Sequence, residues 1–118
     1  MVLVDTSVWV AHFRERNAGL ALLLNNGQVF CHPLVIGELA CGNLKQRSEI
    51  LSLLRALPSV VVAEHSEVMD FIENQRLMGK GMGFIDMHLI TSALMSRVNL
   101  WTFDRKMNQF AALLGLAH

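Results

Sequence analysis

The sequence predicts an α/β fold in which a parallel sheet carries helices on both faces. Short apolar runs alternate along the chain with segments of helical periodicity, which is the pattern of such folds. The first run, Val2-Leu3-Val4, is apolar without interruption, as expected of a strand buried on both sides. The chain has 118 residues, enough for one hydrophobic core and too few for two. We therefore expect a single domain spanning residues 1–118.

Four strands are predicted from the apolar and β-branched runs. They cover residues 2–4, 28–31, 60–63 and 100–103, and the run Val60-Val61-Val62-Ala63 is the clearest of them. Helices are predicted between the strands from i, i+3, i+4 apolar spacing and from cap signals such as Pro33, which suits a first helical turn. They cover about residues 8–16, 20–24, 33–42, 50–57, 66–78, 86–94 and 105–114.

Composition narrows the class of protein. Hydrophobic residues make up 53% of the chain, which leaves two interpretations open: a second buried surface, such as a dimer interface or a partner groove, or a small domain with a very apolar core. Cys31 and Cys41 show no CxxC or zinc-ligand spacing, so we expect reduced thiols. No run approaches the ~20 apolar residues of a membrane span, and Asp5 stands too early for a signal peptide. We expect a cytoplasmic protein.

Four acidic residues stand where a carboxylate is costly. Asp5 and Asp104 directly follow predicted strands, and Glu38 and Asp86 lie on the apolar faces of predicted helices. Buried or crowded carboxylates destabilise a fold unless a cation or hydrogen bonds compensate them. In open parallel sheets, sites form beyond the carboxyl ends of strands where the winding reverses. We expect Asp5 and Asp104 to meet there, with strand four paired to strand one.

Each acid has a simpler explanation when it is taken alone. Asp5 and Asp104 could be helix N-caps, Asp86 could interact with a helix dipole, and Glu38 could pair with a buried Arg. Four independent structural roles are less economical than one shared site. Two carboxylates ~4 Å apart repel by ~4 kcal/mol at an effective dielectric near 20, so a cluster calls for a cation. All-oxygen ligands favour Mg²⁺ or Mn²⁺, which assist phosphodiester hydrolysis.

The net charge is zero, from 10 basic and 10 acidic residues, whereas nucleic-acid binders are usually basic. If the four acids are neutralised by metal, the remaining surface is modestly cationic and compatible with RNA.

Four ordered motifs resemble those of PIN-domain ribonucleases, in particular the VapC toxins of prokaryotic toxin–antitoxin pairs. The motifs are V-L-V-D-T-S-V-W-V, V-I-G-E-L-A-C-G, G-F-I-D-M-H-L-I-T-S-A and L-W-T-F-D-R-K-M, and together they extend over nearly the whole chain. The resemblance implies a three-layer α/β/α PIN-like domain with a central parallel sheet of four or five strands. Many relatives have a fifth strand near the C-terminus, and residues 115–118 could be a stub of it.

The resemblance also implies a Mg²⁺- or Mn²⁺-dependent endoribonuclease that cleaves tRNA or another structured RNA. By matching positions, the residues that would bind metal and carry catalysis are Asp5, Glu38, Asp86 and Asp104. Thr102 matches the family's T-x-D motif and would support the site by hydrogen bonding, and Thr6 or Ser7 would do likewise. A homodimer and a cognate antitoxin that blocks the site are implied as partners.

Two other classes of protein compete with this interpretation. A receiver or Asp-based phosphatase would need a second acid next to Asp5, and Asp5-Thr6-Ser7 has none. A PIN-like binding module without catalysis, which only docks a partner protein, remains the alternative. If Mn²⁺ raises the melting temperature and EDTA reverses the rise, the enzyme is favoured; an unchanged melting temperature favours the binding module.

Overall fold

The computed structural model describes all residues, 1–118, and shows an α/β fold built on a parallel sheet. Strand β1 (Val2–Val4) lies at the centre, with β2 (Val29–Phe30) on one side and β3 (Asn99–Trp101) on the other, giving the order β2-β1-β3. The helices are α1 (Thr6–Arg14), α2 (Ala18–Asn25), α3 (Pro33–Ala40), α4 (Arg47–Ala56), α5 (His65–Gln75), α6 (Phe84–Ser96) and α7 (Arg105–Leu113).

The sheet is covered on both faces. Val2, Leu3 and Val4 are all buried, and consecutive side chains of a strand point to opposite faces. Helical layers must therefore lie on each side, as the uninterrupted apolar run predicts. The central strand, the two strands beside it and residues of α1, α3, α6 and α7 share one hydrophobic cluster.

The number of strands is smaller than predicted. The sheet has three strands rather than four or five, because the run Val60–Ala63 forms no extended ladder. Only an isolated parallel bridge joins Cys31 to Ser59 there. The backbone N–H groups of Val61 and Ala63 donate instead to the side-chain hydroxyls of Ser96 and Ser92, at 2.9 and 3.0 Å. Hydroxyl groups of α6 thus take the place of a neighbouring strand.

The C-terminal segment makes a similar short contact with the other edge. Ala117 forms an isolated parallel bridge with Leu100, and the His118 N–H donates to the Leu100 carbonyl at 3.1 Å. The predicted stub of a fifth strand is therefore reduced to one bridge.

The helices begin close to their predicted positions. Pro33 opens α3, and the preceding His32 caps that helix by accepting the Leu34 N–H at its Nδ1, 3.0 Å away. The longest helix, α6, has 13 residues. None of the helices combines the length and the apolar character required to traverse a bilayer.

Candidate active site

The carboxyl ends of β1 and β3 lie side by side, as the predicted winding reversal requires. The Asp5 N–H donates to the Trp101 carbonyl at 2.9 Å, which aligns the residues that follow the two strands. Thr102 then joins both acids: its hydroxyl donates to Asp5 Oδ2 at 2.8 Å and accepts the Asp104 N–H at 3.0 Å. A single threonine therefore fixes the distance between two chain segments that are far apart in sequence.

Asp5 is not a helix cap. It occupies the residue before α1, yet its side chain accepts none of the backbone N–H groups of that helix. It is buried, and its Oδ2 accepts from Ser7 Oγ at 2.7 Å in addition to the Thr102 hydroxyl. Hydroxyl donors of this kind compensate the cost of burying the charge. The Asp5 Oδ1 atom accepts no hydrogen bond from the protein and remains able to bind a ligand.

Asp104 does act as a helix cap. Its Oδ1 accepts the Met107 N–H at 2.8 Å at the start of α7, and the residue is exposed. The cap explanation and the site explanation are compatible here, because capping uses one carboxylate oxygen and leaves Oδ2 without a protein donor.

Glu38 differs from its predicted environment. Its neighbours Val35 and Leu39 are buried in the core, but Glu38 itself is exposed at the edge of that face. Its partner is not an Arg: Glu38 Oε1 accepts from the Thr6 hydroxyl at 2.7 Å. This contact ties α3 to the first turn of α1, the helix that follows Asp5, so the fold directs Glu38 toward the other acids.

Asp86 lies in the first turn of α6, half buried. Its Oδ2 accepts the Gly83 N–H at 3.1 Å, a hydrogen bond that lowers its pKa. Burial outweighs that bond and raises the pKa of Asp86, and the negative charges of Asp5, Asp104 and Glu38 raise it further. No Lys or Arg side chain offsets these effects at Asp86. The charges of the other three acids thus reach Asp86, although the four residues come from four different segments.

The carboxylates of the four acids have the chemistry to bind a hard divalent cation, but in this structure they stand too far apart to bind one together. No three of the His, Cys, Asp and Glu side chains stand close enough to hold a metal ion together. The donor set nevertheless consists of carboxylate oxygens, the ligands Mg²⁺ and Mn²⁺ prefer. Each carboxylate keeps one oxygen in a protein hydrogen bond and the other unengaged. The protein therefore orients the four acids, and a cation would have to draw their free oxygens together.

The sequence leaves Thr6 and Ser7 as alternative supporting residues, and the structure gives the two residues different partners. Ser7 Oγ donates to Asp5 and accepts the Phe103 N–H at 3.0 Å, so it contacts the β3 side of the site. Thr6 contacts Glu38 on the α3 side. Adjacent residues at a helix start point in different directions, which explains how both can serve.

A second polar network, centred on His32, is not predicted by the sequence analysis. His32 is fully buried, and its Nε2 lies 3.2 Å from Ser92 Oγ, which also accepts the Ala63 N–H. Because His32 Nδ1 accepts the Leu34 N–H, the Nε2 atom carries the proton and donates to Ser92. The network links the start of α3, which carries Glu38, to α6, which carries Asp86. A histidine directly before a helix-opening proline was the available signal.

The fold and the position of the four acids can be compared with those of known protein families. The PIN domain family model matches residues 2–113, and the chain belongs to the PIN-domain family. A solved structure, PAE2754 from Pyrobaculum aerophilum, has the same fold with a TM-score of 0.61 at 19% identity, covering 92% of this chain and 77% of that one.

Within the family, the chain is similar to a particular ribonuclease. Ribonuclease VapC32 from two strains of Mycobacterium tuberculosis is 44% identical over 118 residues, covering 99% of this chain and 95% of the relative. The resemblance inferred from the four motifs is thereby confirmed, because the family model and the VapC32 sequences each match nearly the whole chain.

Proposed function

We propose that this protein is an endoribonuclease of the VapC type, the toxin of a cytoplasmic toxin–antitoxin pair, which hydrolyses tRNA or another structured RNA with Mg²⁺ or Mn²⁺. The observation that carries the proposal is the convergence of four acids from four segments of the chain. The Thr102 hydroxyl joins Asp5 to Asp104, Thr6 holds Glu38 beside α1, and burial together with the charges of these three acids raises the pKa of Asp86. Such an arrangement opposes folding stability and is retained where function needs it. The name of the VapC32 relatives, Ribonuclease, gives the reaction class.

In this proposal the metal-binding and catalytic residues are Asp5, Glu38, Asp86 and Asp104. A bound Mg²⁺ or Mn²⁺ supplies Lewis-acid activation of water and neutralises charge on the scissile phosphate. The protein supplies orientation. Thr102 and Ser7 donate to Asp5 Oδ2 and leave its Oδ1 free to bind a ligand, and Thr6 donates to Glu38. Hydrolysis by attack of water at phosphorus leaves 5′-phosphate and 3′-hydroxyl ends.

The test is to incubate total RNA with the purified protein and Mn²⁺, then map the new ends. The Asp86→Asn variant should not cleave, because it loses a metal-binding charge while keeping the shape and the Gly83 hydrogen bond. The matched control is Asp70→Asn, which removes an exposed carboxylate from α5 and should cleave normally. Normal cleavage by Asp86→Asn would refute the site. If the wild type never cleaves RNA, the docking-only alternative is favoured.

The antitoxin of this pair would bind an apolar groove on the α1 and α4 side of the molecule. The groove has a volume of about 310 Å³, and seven of its eight lining residues are hydrophobic, among them Trp9, Phe13, Leu53 and Leu57. Leu53 is 63% exposed there. An amphipathic partner helix suits such a groove, and Leu53→Glu should release the antitoxin and leave RNA cleavage intact.

A homodimer is supported by a second apolar surface. Val61, Val62, Leu94 and Met95 are all exposed, and the hydrogen bond from Val61 N–H to Ser96 Oγ holds the two segments side by side. Apolar patches of this kind usually mark interfaces. The proposed dimer is checked by light scattering on the wild type and on Leu94→Glu, which should be monomeric.

A further inference from the structure

A basic groove begins at the acid cluster and has no role in the chemistry described above. It has a volume of about 970 Å³ and lies between the C-terminal half of α1, the α3 residues Glu38 and Leu39, and the loop 42–46. Its charged residues are Arg14, Arg16, Lys45 and Glu38. Three cations face a single carboxylate, and that carboxylate belongs to the proposed site. In a chain of zero net charge, this concentration of positive charge is local.

The cations of the groove are available to a ligand. Arg14, Arg16 and Lys45 are exposed, and none of their side chains donates a hydrogen bond within the protein. The cation that does so is Arg47, whose Nη1 donates to the Gly42 carbonyl at 3.2 Å and closes the loop that carries Lys45. The Arg47–Gly42 hydrogen bond therefore holds the loop on one side of the groove, and the side chains of Arg14, Arg16 and Lys45 at its rim are free to donate to a ligand.

Five of the 13 residues that line the groove are hydrophobic. Val10, Phe13, Leu44 and Ile50 line it, and Phe13 stacks on Trp9 with ring centroids 5.8 Å apart. A cationic rim over an apolar, partly aromatic floor is how proteins bind single-stranded nucleic acid, with phosphates on the rim and bases or riboses against the floor. An acidic protein segment would satisfy the rim but gains less from that floor.

We propose that this groove binds a single-stranded stretch of the RNA substrate and leads it to the acid cluster, with Arg14, Arg16 and Lys45 contacting successive phosphates. The proposal rests on the proposed ribonuclease function and adds to it the segment of RNA that is recognised. Glu38 marks the end of the groove, where the strand would reach the cleavage site.

The test is the salt dependence of RNA binding. The variant Arg14→Gln/Arg16→Gln/Lys45→Gln is compared with its parent, both carrying Asp86→Asn to prevent cleavage, in Mg²⁺ with a fluorescein-labelled oligo(U) RNA of about 15 nucleotides. Each single-strand phosphate contact contributes ~0.7 to the slope of log affinity against log salt, so the triple variant should have a slope smaller by about 2. Between 50 and 200 mM salt, the parent should lose roughly 20-fold more affinity than the variant.

Two controls separate charge from structure. The double variant Arg14→Lys/Arg16→Lys keeps both charges and should keep the parent slope. Arg55→Gln removes a cation that lines a different pocket and should also behave as the parent. On the cleavage-competent background, the triple variant should raise KM for RNA more than it lowers kcat.

The measurements distinguish an RNA-binding groove from a protein-docking surface and from failure of the ribonuclease function. An unchanged salt slope in the triple variant overturns the groove as an RNA site. If the triple variant loses binding of a polyglutamate peptide while oligo(U) binding is unchanged, the groove is a protein-docking surface instead. Failure of the wild type to cleave any RNA refutes the proposed function, and the oligo(U) measurement still decides whether the groove binds RNA.

Discussion

The buried imidazole of His32 makes the stability of this protein depend on pH. Burial, with a smaller contribution from the nearby His88, lowers the pKa of His32 from its ordinary 6.5 to about 4. Between these two values the unfolded chain binds a proton at His32 and the folded chain does not, so unfolding is favoured as the pH falls. The full stabilisation is present above pH 6.5 and is lost progressively toward pH 4.

The magnitude follows from the pKa difference. A difference of one in pKa corresponds to ~1.4 kcal/mol, so neutral burial of His32 accounts for roughly 3 kcal/mol of pH-dependent stability, of which about 2 kcal/mol is lost by pH 5. The geometry gives the reason that a proton is excluded. Nδ1 already accepts the Leu34 N–H, and protonation there would replace an acceptor with a second donor.

The assay is urea unfolding at pH 7 and pH 5, followed by circular dichroism. His32→Asn keeps an oxygen that can accept the Leu34 N–H and has no titrating ring. It should be less stable than the wild type at pH 7 and should lose about 2 kcal/mol less between the two pH values. His65→Asn, which removes an exposed imidazole, serves as the control and should follow the wild type. Equal losses in wild type and His32→Asn would refute this account of the network.

Three further predictions concern the acid cluster. Asp86→Asn should melt at a higher temperature than the wild type in EDTA, because it removes a partly buried charge that three other carboxylates repel; an equal or lower melting temperature would contradict this. Mn²⁺ should raise the melting temperature of the wild type by mass action and EDTA should reverse the rise, whereas a flat response favours the docking-only alternative. Thr102→Val should cost ~1–2 kcal/mol in urea unfolding and ~10–100-fold in cleavage rate, since Asp5 and the Asp104 N–H lose a partner, and Thr102→Ser should recover most of both.

The order of the sheet and the meeting of Asp5 with Asp104 could be predicted from the sequence. The apolar run Val2–Val4 identifies a strand covered on both faces, and the acid that follows such a strand must lie at its carboxyl end. The choice between a capping role and a site role could not be predicted, because an Asp before a helix suits both. Asp104 caps its helix and Asp5 does not, and the difference lies in the Ser7 and Thr102 hydroxyls that hold Asp5.

The run Val60–Ala63 shows where a local pattern misleads. Its β-branched residues favour extended backbone, but a strand also needs a neighbouring strand whose carbonyls accept its N–H groups. Here α6 offers hydroxyls at Ser92 and Ser96 instead, residues about 30 positions further along the chain. The β-propensity of a segment depends on its own residues, whereas strand pairing depends on a second segment elsewhere in the chain. Only a single bridge therefore forms here.

The sequence by itself determined the chemistry: which acids are present, the strands and helices that carry them, and the family to which the ordered motifs belong. Tertiary structure decided which oxygens of those acids are hydrogen-bonded, and it brought Asp86 within reach of the charges of the other three. It also brought Arg14, Arg16 and Lys45 to one groove. The physical reason is that charge interactions and side-chain hydrogen bonds depend on distance in space, and residues far apart in the chain become neighbours only once the core has packed.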